Sequence, residues 1–176
     1  QSADSAPSGK ELDAPVSVPE VWRLIPEDVE LYDWQNACLP LWREKARGTV
    51  KVATGGGKTL FALAAAQAVQ NQIEPDLRLV IIVPTIPLMS QWYDELLRGN
   101  LPPSSIGLMG GGNDLAPAPS LRVLVAVLNS ARQRLPEFVR EAGWANRMLL
   151  VVDECHRAGA TQARRIYDAM PRYTLG

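Results

Sequence analysis

Seven consecutive residues, Ala53-Thr54-Gly55-Gly56-Gly57-Lys58-Thr59, set three glycines before a lysine and a hydroxyl. These are the residue types that hold a phosphate chain. Glycines let successive backbone amides turn towards an anion, and a helix starting directly afterwards presents its positive N-terminal end to it. Lys58 would reach the terminal phosphates and the Thr59 hydroxyl would coordinate magnesium. Val52 stands where the pattern G-x-x-x-x-G-K-T places its first glycine, so the match is incomplete. Ninety-five residues after Lys58, the run Leu149-Leu150-Val151-Val152-Asp153-Glu154-Cys155-His156 delivers two carboxylates at the end of an apolar stretch. Ligands bind at the C-terminal edge of open α/β sheets. There Asp153 suits a magnesium ion, directly or through water, and Glu154 suits the positioning or deprotonation of an attacking water. Taken singly, the first stretch could be a glycine turn capping a helix and the second a solvated turn. Together, in this order and with two apolar strands between them, they form a phosphate loop and its Walker B partner, with ATP and Mg2+ as cofactors.

The elements that must position these residues follow from hydrophobic periodicity. Thr49 to Ala53 reads as a strand running into the glycines, and TLFALAAAQAVQNQ, with Gly57 before it and Pro75 after it, reads as a helix. LRLVIIVPT, LRVLVAVLN and MLLVVDE are continuous apolar runs. Such runs suit a parallel sheet covered on both faces, whereas alternation would signal a half-exposed antiparallel one. Helical stretches are expected at Leu88 to Leu97 and Pro136 to Ala142. Leu31, Trp34, Cys38, Leu41 and Trp42, three and four apart, predict an amphipathic helix that Pro40 shortens or kinks. Alternating strands and helices make this an α/β layer architecture. The stretch GLMGGGNDLAPAPS has the least ordered composition inside the chain.

Composition narrows the classes further. The 176 residues are 47% hydrophobic and 21% charged, ordinary for one globular domain. Cys38 and Cys155 are too few for a disulfide framework, and a single histidine, His156, excludes a metal site built on several imidazoles. No apolar run approaches a membrane span and no secretory signal is present, so an intracellular, cytoplasmic protein is expected, nucleoid-associated if bacterial. The chain starts at Gln1, which points to a piece of something longer. Its net charge of −1 conceals a division. Residues 1–30 hold two basic and seven acidic groups with four prolines, net −5, and read as a surface leader or linker. The other 146 residues hold sixteen basic and twelve acidic groups, net +4.

With A-T-G-G-G-K-T followed by D-E-C-H, residues 31–176 resemble the N-terminal RecA-like lobe of a superfamily 2 DExH helicase or translocase, of the restriction and repair type. The resemblance implies a three-layer RecA-like P-loop domain, with a mainly parallel sheet between helices. It implies that Thr54, Gly55, Gly56, Gly57, Lys58 and Thr59 bind nucleotide with Gln35, which lies in Leu31-Tyr32-Asp33-Trp34-Gln35 at the place of the adenine-reading Q motif. Tyr32 replaces the arginine usual there. It further implies nucleic-acid backbone contacts by Pro84-Thr85 and Asn129-Ser130, with the Gly110 to Gly112 stretch as an added candidate, and a coupling role for His156. Trp34, Trp42 and Trp92 read as core, and Trp22 as a candidate neighbour of the adenine. The expected partners are nucleic acid, DNA before RNA, and a second RecA-like lobe. The acidic leader could dock a protein. The chain ends just before the family's motif III, so by itself it should hydrolyse ATP very slowly, since an arginine finger from another lobe is typically worth ~10³ to 10⁵ in rate. Two other readings stay open: a P-loop ATPase that is not a helicase, and a non-catalytic docking module.

Overall fold

The structure, a computed structural model, describes residues 17–50, 57–153 and 160–176. In chain order it comprises α1 (Asp33–Lys45), β1 (Arg47–Gly48), α2 (Lys58–Gln72), β2 (Arg78–Val83), α3 (Ile86–Leu97), β3 (Ile106–Met109), β4 (Val123–Val127), α4 (Leu128–Ala142), β5 (Met148–Val152), α5 (Ala160–Tyr167) and β6 (Tyr173–Leu175). The strands form one six-stranded sheet in the order β1-β6-β5-β2-β4-β3, and every pairing is parallel. The three continuous apolar runs lie next to each other at its centre, with Ile81 between Val125 and Val151.

Side chains on a strand alternate between faces, so a run that is apolar throughout must be covered twice. Leu79, Ile81, Val83, Val125 and Val151 join one core with Trp42, Phe61, Met89 and Trp92, from α1, α2 and α3. Val80, Ile82, Leu124, Ala126 and Leu150 join another with Leu135, Phe138 and Ile166, from α4 and α5. The alanines of α2 are buried and small, which lets that helix lie close against the sheet.

Several expectations are corrected. Residues 17–30 are not a free leader: Trp22 is 1% exposed and Leu24 fully buried. Backbone groups of this segment pair with side chains of α2, including Trp22 N–H to Asn71 Oδ1 at 2.8 Å and Leu24 N–H to Gln67 Oε1 at 2.9 Å. Its acidic residues face water while two large apolar side chains supply the burial that mean composition hides. Trp22 is therefore core and does not flank a nucleotide. The stripe of α1 that meets α2 is the i, i+4 row Trp34, Cys38, Trp42, and Leu41 lies beside it, 68% exposed. Helix α4 starts at Leu128, eight residues before the expected position, and carries Pro136 inside it. Burial of Ala131 and Leu135 holds the turns that the proline would interrupt. The strand expected at Thr49 to Ala53 pairs from Arg47, with Val50 N–H to Gly176 O at 2.9 Å continuing the ladder; residues 51–53 lie outside the described residues. Part of the stretch of least ordered composition is a strand, β3, where Gly107 makes room for Leu115: a Cβ there would lie 2.5 Å from its Cδ2.

Candidate nucleotide site and nucleic-acid edge

The C-terminal edge of the sheet collects most of the residues singled out above. Gly57 stands at φ +84°, a left-handed conformation that favours glycine, and α2 begins directly after it with Lys58 and Thr59. Asp153 follows the last residue of β5, its backbone N–H bonded to Ile82 O at 2.9 Å. Lys58 and Asp153 line one cleft together with Trp34, Phe61 and Trp92. Thr59 and Asp153 line an adjoining cleft with Gln91 and Glu95. Thr54, Gly55, Gly56, Glu154 and His156 lie outside the described residues, as does Cys155.

The oxygen donors at hand fit magnesium. The Asp153 carboxylate and the Thr59 hydroxyl border the same cleft, with Asp94 and Glu95 also in its lining, and among the described residues no group of three or more His, Cys, Asp or Glu could cage a metal. Mg2+ is usually held by one or two carboxylates with substrate phosphates and waters, not by a dedicated protein cage.

Trp92 has a second role beyond packing. It is 3% exposed, and its indole Nε1–H donates to Asp153 Oδ2 at 2.9 Å. A buried indole needs an acceptor for its N–H, and a carboxylate is a strong one. Asp153 is thus oriented from α3, the helix that follows Pro84-Thr85. The sequence signal for this was the tryptophan seven residues into α3, legible as core but not as a donor. Trp34 is only half-buried, stacked on Phe61 at 5.6 Å, and forms a wall of the cleft.

Gln35 is fully buried, and its amide is already engaged. Nε2 donates to Gly57 O at 2.8 Å, and Oε1 accepts from Tyr32 N–H at 2.8 Å. It does not present an open edge to a base in this arrangement; it fastens the start of α1 to the end of the phosphate loop. Tyr32 is 60% exposed, and a Cβ on Gly57 would lie 3.2 Å from its ring. An exposed aromatic therefore borders the loop where the family pattern has arginine.

The remaining candidates gather further along the same edge. Thr85 caps α3, its Oγ1 accepting from Leu88 N–H at 3.4 Å. Asn129 and Ser130 lie in the first turn of α4, not in a loop, because α4 begins immediately at the end of β4. Asn129 Oδ1 accepts from Arg132 at 2.7 Å. Gly110, Gly111 and Gly112, all at positive φ, sit between these groups. A Cβ on Gly110 would be 2.9 Å from Ser130 Oγ, and one on Gly111 3.3 Å from Ile86. Backbone of the glycine turn, the Thr85 cap and the α4 N-terminus thus form one continuous ledge.

Fold and edge together define a three-layer RecA-like α/β lobe. The family described as Type III restriction enzyme, res subunit, matches residues 28–176, and the chain belongs to it, as the N-terminal lobe of the superfamily 2 helicase type. The DNA 3'-5' translocase XPB2 of Sulfurisphaera tokodaii is 32% identical over 135 residues, which is 76% of this chain and 26% of that protein. The ATP-dependent DNA helicase Hel308 of Thermoplasma volcanium is 31% identical over 137 residues, 75% of this chain and 19% of that protein. The crystal structure of the UvsW helicase from Bacteriophage T4 superposes with a TM-score of 0.66 at 18% identity, over 92% of this chain and 55% of that one, a likeness of fold. The chain spans about a quarter of the length of the first of these curated relatives and a fifth of the second. No helix among the described residues is long and apolar enough to cross a membrane.

Proposed function

We propose that the chain is the ATP-binding lobe of an ATP-dependent nucleic-acid helicase or translocase, acting on DNA in preference to RNA. The observation that carries this is the convergence of Lys58, Thr59 and Asp153 on adjoining clefts at one sheet edge, with the ledge of Thr85, Gly110 and Ser130 on the same side. The choice of DNA is supported by the XPB2 relative, a DNA 3'-5' translocase, and the Hel308 relative, an ATP-dependent DNA helicase. Lys58 and the amides of residues 54–57 hold the phosphates. Thr59 and Asp153 hold Mg2+, which when bound neutralises charge on the transferred phosphoryl group. Trp92 keeps the Asp153 carboxylate turned to the cleft. Glu154 orients the attacking water, and His156 passes the state of the site to the rest of the protein. Gln35 acts on the nucleotide through Gly57, and Pro84, Thr85, Asn129 and Ser130 contact the nucleic-acid backbone without reading sequence.

On this reading the lobe proper is residues 31–176, with residues 17–30 strapped to it, and it works with a second RecA-like lobe inside a soluble intracellular protein. The acidic residues 1–16 are left as an arm for a protein partner. ATP hydrolysis by the full-length protein, with and without DNA or RNA, tests the proposal. Stimulation by DNA is expected, and Lys58→Ala and Glu154→Gln should each abolish turnover. Turnover unchanged in either variant overturns the site.

A further inference from the structure

The opposite, N-terminal edge of the sheet carries a second concentration of charge. Parallel strands in register bring the residues that open β2 or precede β4 and β5 side by side, so Arg78, Arg122 and Arg147 meet there. All three donate through Nη1 to one carboxylate. Arg78 and Arg122 reach Asp76 Oδ1, the former at 2.8 Å, and Arg147 reaches Oδ2. A single aspartate can accept three such bonds, but it balances only one of three charges. The Nε atoms of Arg78, Arg122 and Arg147 are buried with no partner. The Arg78 side chain is 8% exposed and lies over the Trp144 ring, Cζ 5.9 Å from the centroid. Burial pulls the pKa of the Arg78 guanidinium below its ordinary value, and the charges of Arg122 and Arg147 pull it further, against the bond it donates to Asp76.

A cavity opens at this cluster, lined by Arg78, Arg147, Trp144, Glu141 and the turn at residues 117–119. Because the bonds of Arg78 and Arg147 to Asp76 run through Nη1, the rest of these two forks, both of which line the cavity, is left for another acceptor. Two arginine forks can share the several oxygens of a tetrahedral anion, whereas the two oxygens of a carboxylate match a single fork. Counting Glu141, the cluster still carries one positive charge in excess.

We propose that this cavity is an oxyanion site that takes a phosphate group, as free phosphate or as a phosphate monoester, against Arg78 and Arg147. It is separate from the nucleotide cleft and does not depend on the function assigned there. Thermal unfolding of the protein carrying Lys58→Ala, which removes the lysine of the phosphate loop, isolates the second site. Inorganic phosphate should raise the midpoint saturably relative to sodium chloride of equal ionic strength, by about 3–6 °C at ten times the dissociation constant. A shift with adenosine monophosphate but not with inorganic phosphate assigns the monoester, and the reverse assigns the free ion. Arg147→Gln should remove the shift. Glu141→Gln, which deletes an exposed like charge from the cavity wall, should tighten phosphate binding by about three- to tenfold, a gain that misfolding cannot mimic. The proposal is overturned if neither anion shifts the midpoint beyond the chloride control, if Arg147→Gln keeps the shift, or if Glu141→Gln leaves the affinity unchanged.

Discussion

Replacing Trp92 with Phe separates the two roles of that residue. The ring remains, but the N–H that reaches Asp153 Oδ2 at 2.9 Å is lost. A hydrogen bond to a charged acceptor contributes about 1.5–3 kcal/mol. The smaller ring leaves about 40 Å³ unfilled at a site that is 3% exposed, which at roughly 24 cal/mol per Å³ adds about 1 kcal/mol. The variant should therefore be less stable by about 2.5–4 kcal/mol. With a urea slope of about 2 kcal/mol/M, its midpoint should fall by about 1–2 M. A cycle with Asp153→Ala isolates the bond: the two substitutions should couple by about 1.5–3 kcal/mol, because once the carboxylate is gone the indole N–H has nothing to lose. The positioning role is read separately, by titrating Mg2+ against binding of a non-hydrolysable ATP analogue. Losing the partner that orients a ligating carboxylate typically weakens a metal site about 10- to 100-fold, and the magnesium requirement should rise accordingly. A coupling near zero together with an unchanged magnesium requirement would refute the assignment, and Trp92 would then be core alone.

Three further outcomes follow from the geometry. Leu24→Ala, at a fully buried position in the strap, should destabilise the protein by about 3 kcal/mol in chemical denaturation; a change below half a kilocalorie would mean the strap is not part of the cooperative unit. Gly57→Ala forces a Cβ into a left-handed φ and to 2.7 Å from Gln35 Nε2, so a loss of about 2–3 kcal/mol is expected, with nucleotide affinity measured by calorimetry falling at least tenfold. At Asp76, burial raises the carboxyl pKa but the bonds and charges of Arg78 and Arg122 outweigh it, leaving it below its ordinary value. That contribution is fully present above the unfolded-state value near pH 4 and is lost as pH falls through the lower folded value. Asp76→Asn should thus cost about 2 kcal/mol at neutral pH and flatten the acid limb of the stability profile, and equal slopes in both proteins would count against it.

How much was legible depended on whether a residue's role is carried by its own pattern or by its neighbours. β2, β4 and β5 announce themselves because burial on both faces demands unbroken apolar runs, and the carboxylate at the end of β5 follows from that register. β3 and β6 do not, since four residues containing a glycine and three residues after a proline carry no periodicity; pairing with β4 makes the first a strand, and pairing with β5 and the distant β1 the second. Pro136 misplaced the start of α4, as a local helix signal does when tertiary burial supports the helix on both sides of it. At the site, Lys58, Thr59 and Asp153 were readable by type and order. The bond from Trp92 to Asp153 spans 61 positions and depends on the side chain's direction, which spacing does not encode. Gln35 stands out in the sequence by type, but the bond of its amide to Gly57, 22 positions away, is not encoded in spacing.

The place of β6 has a consequence for the order of events in biosynthesis. Among the described residues, the strand leading into the phosphate loop is at the sheet's edge, and its neighbour is β6, with Arg47 opposite Thr174. The two partners are 127 positions apart, so pairing them closes a loop whose entropy costs about 4 kcal/mol. A nascent chain can pair β2 with β4 well before that, while the strand ahead of the glycines still lacks its neighbour β6. The lobe would thus acquire its capacity to hold nucleotide last, once residues 173–175 have been synthesised and threaded between β1 and β5.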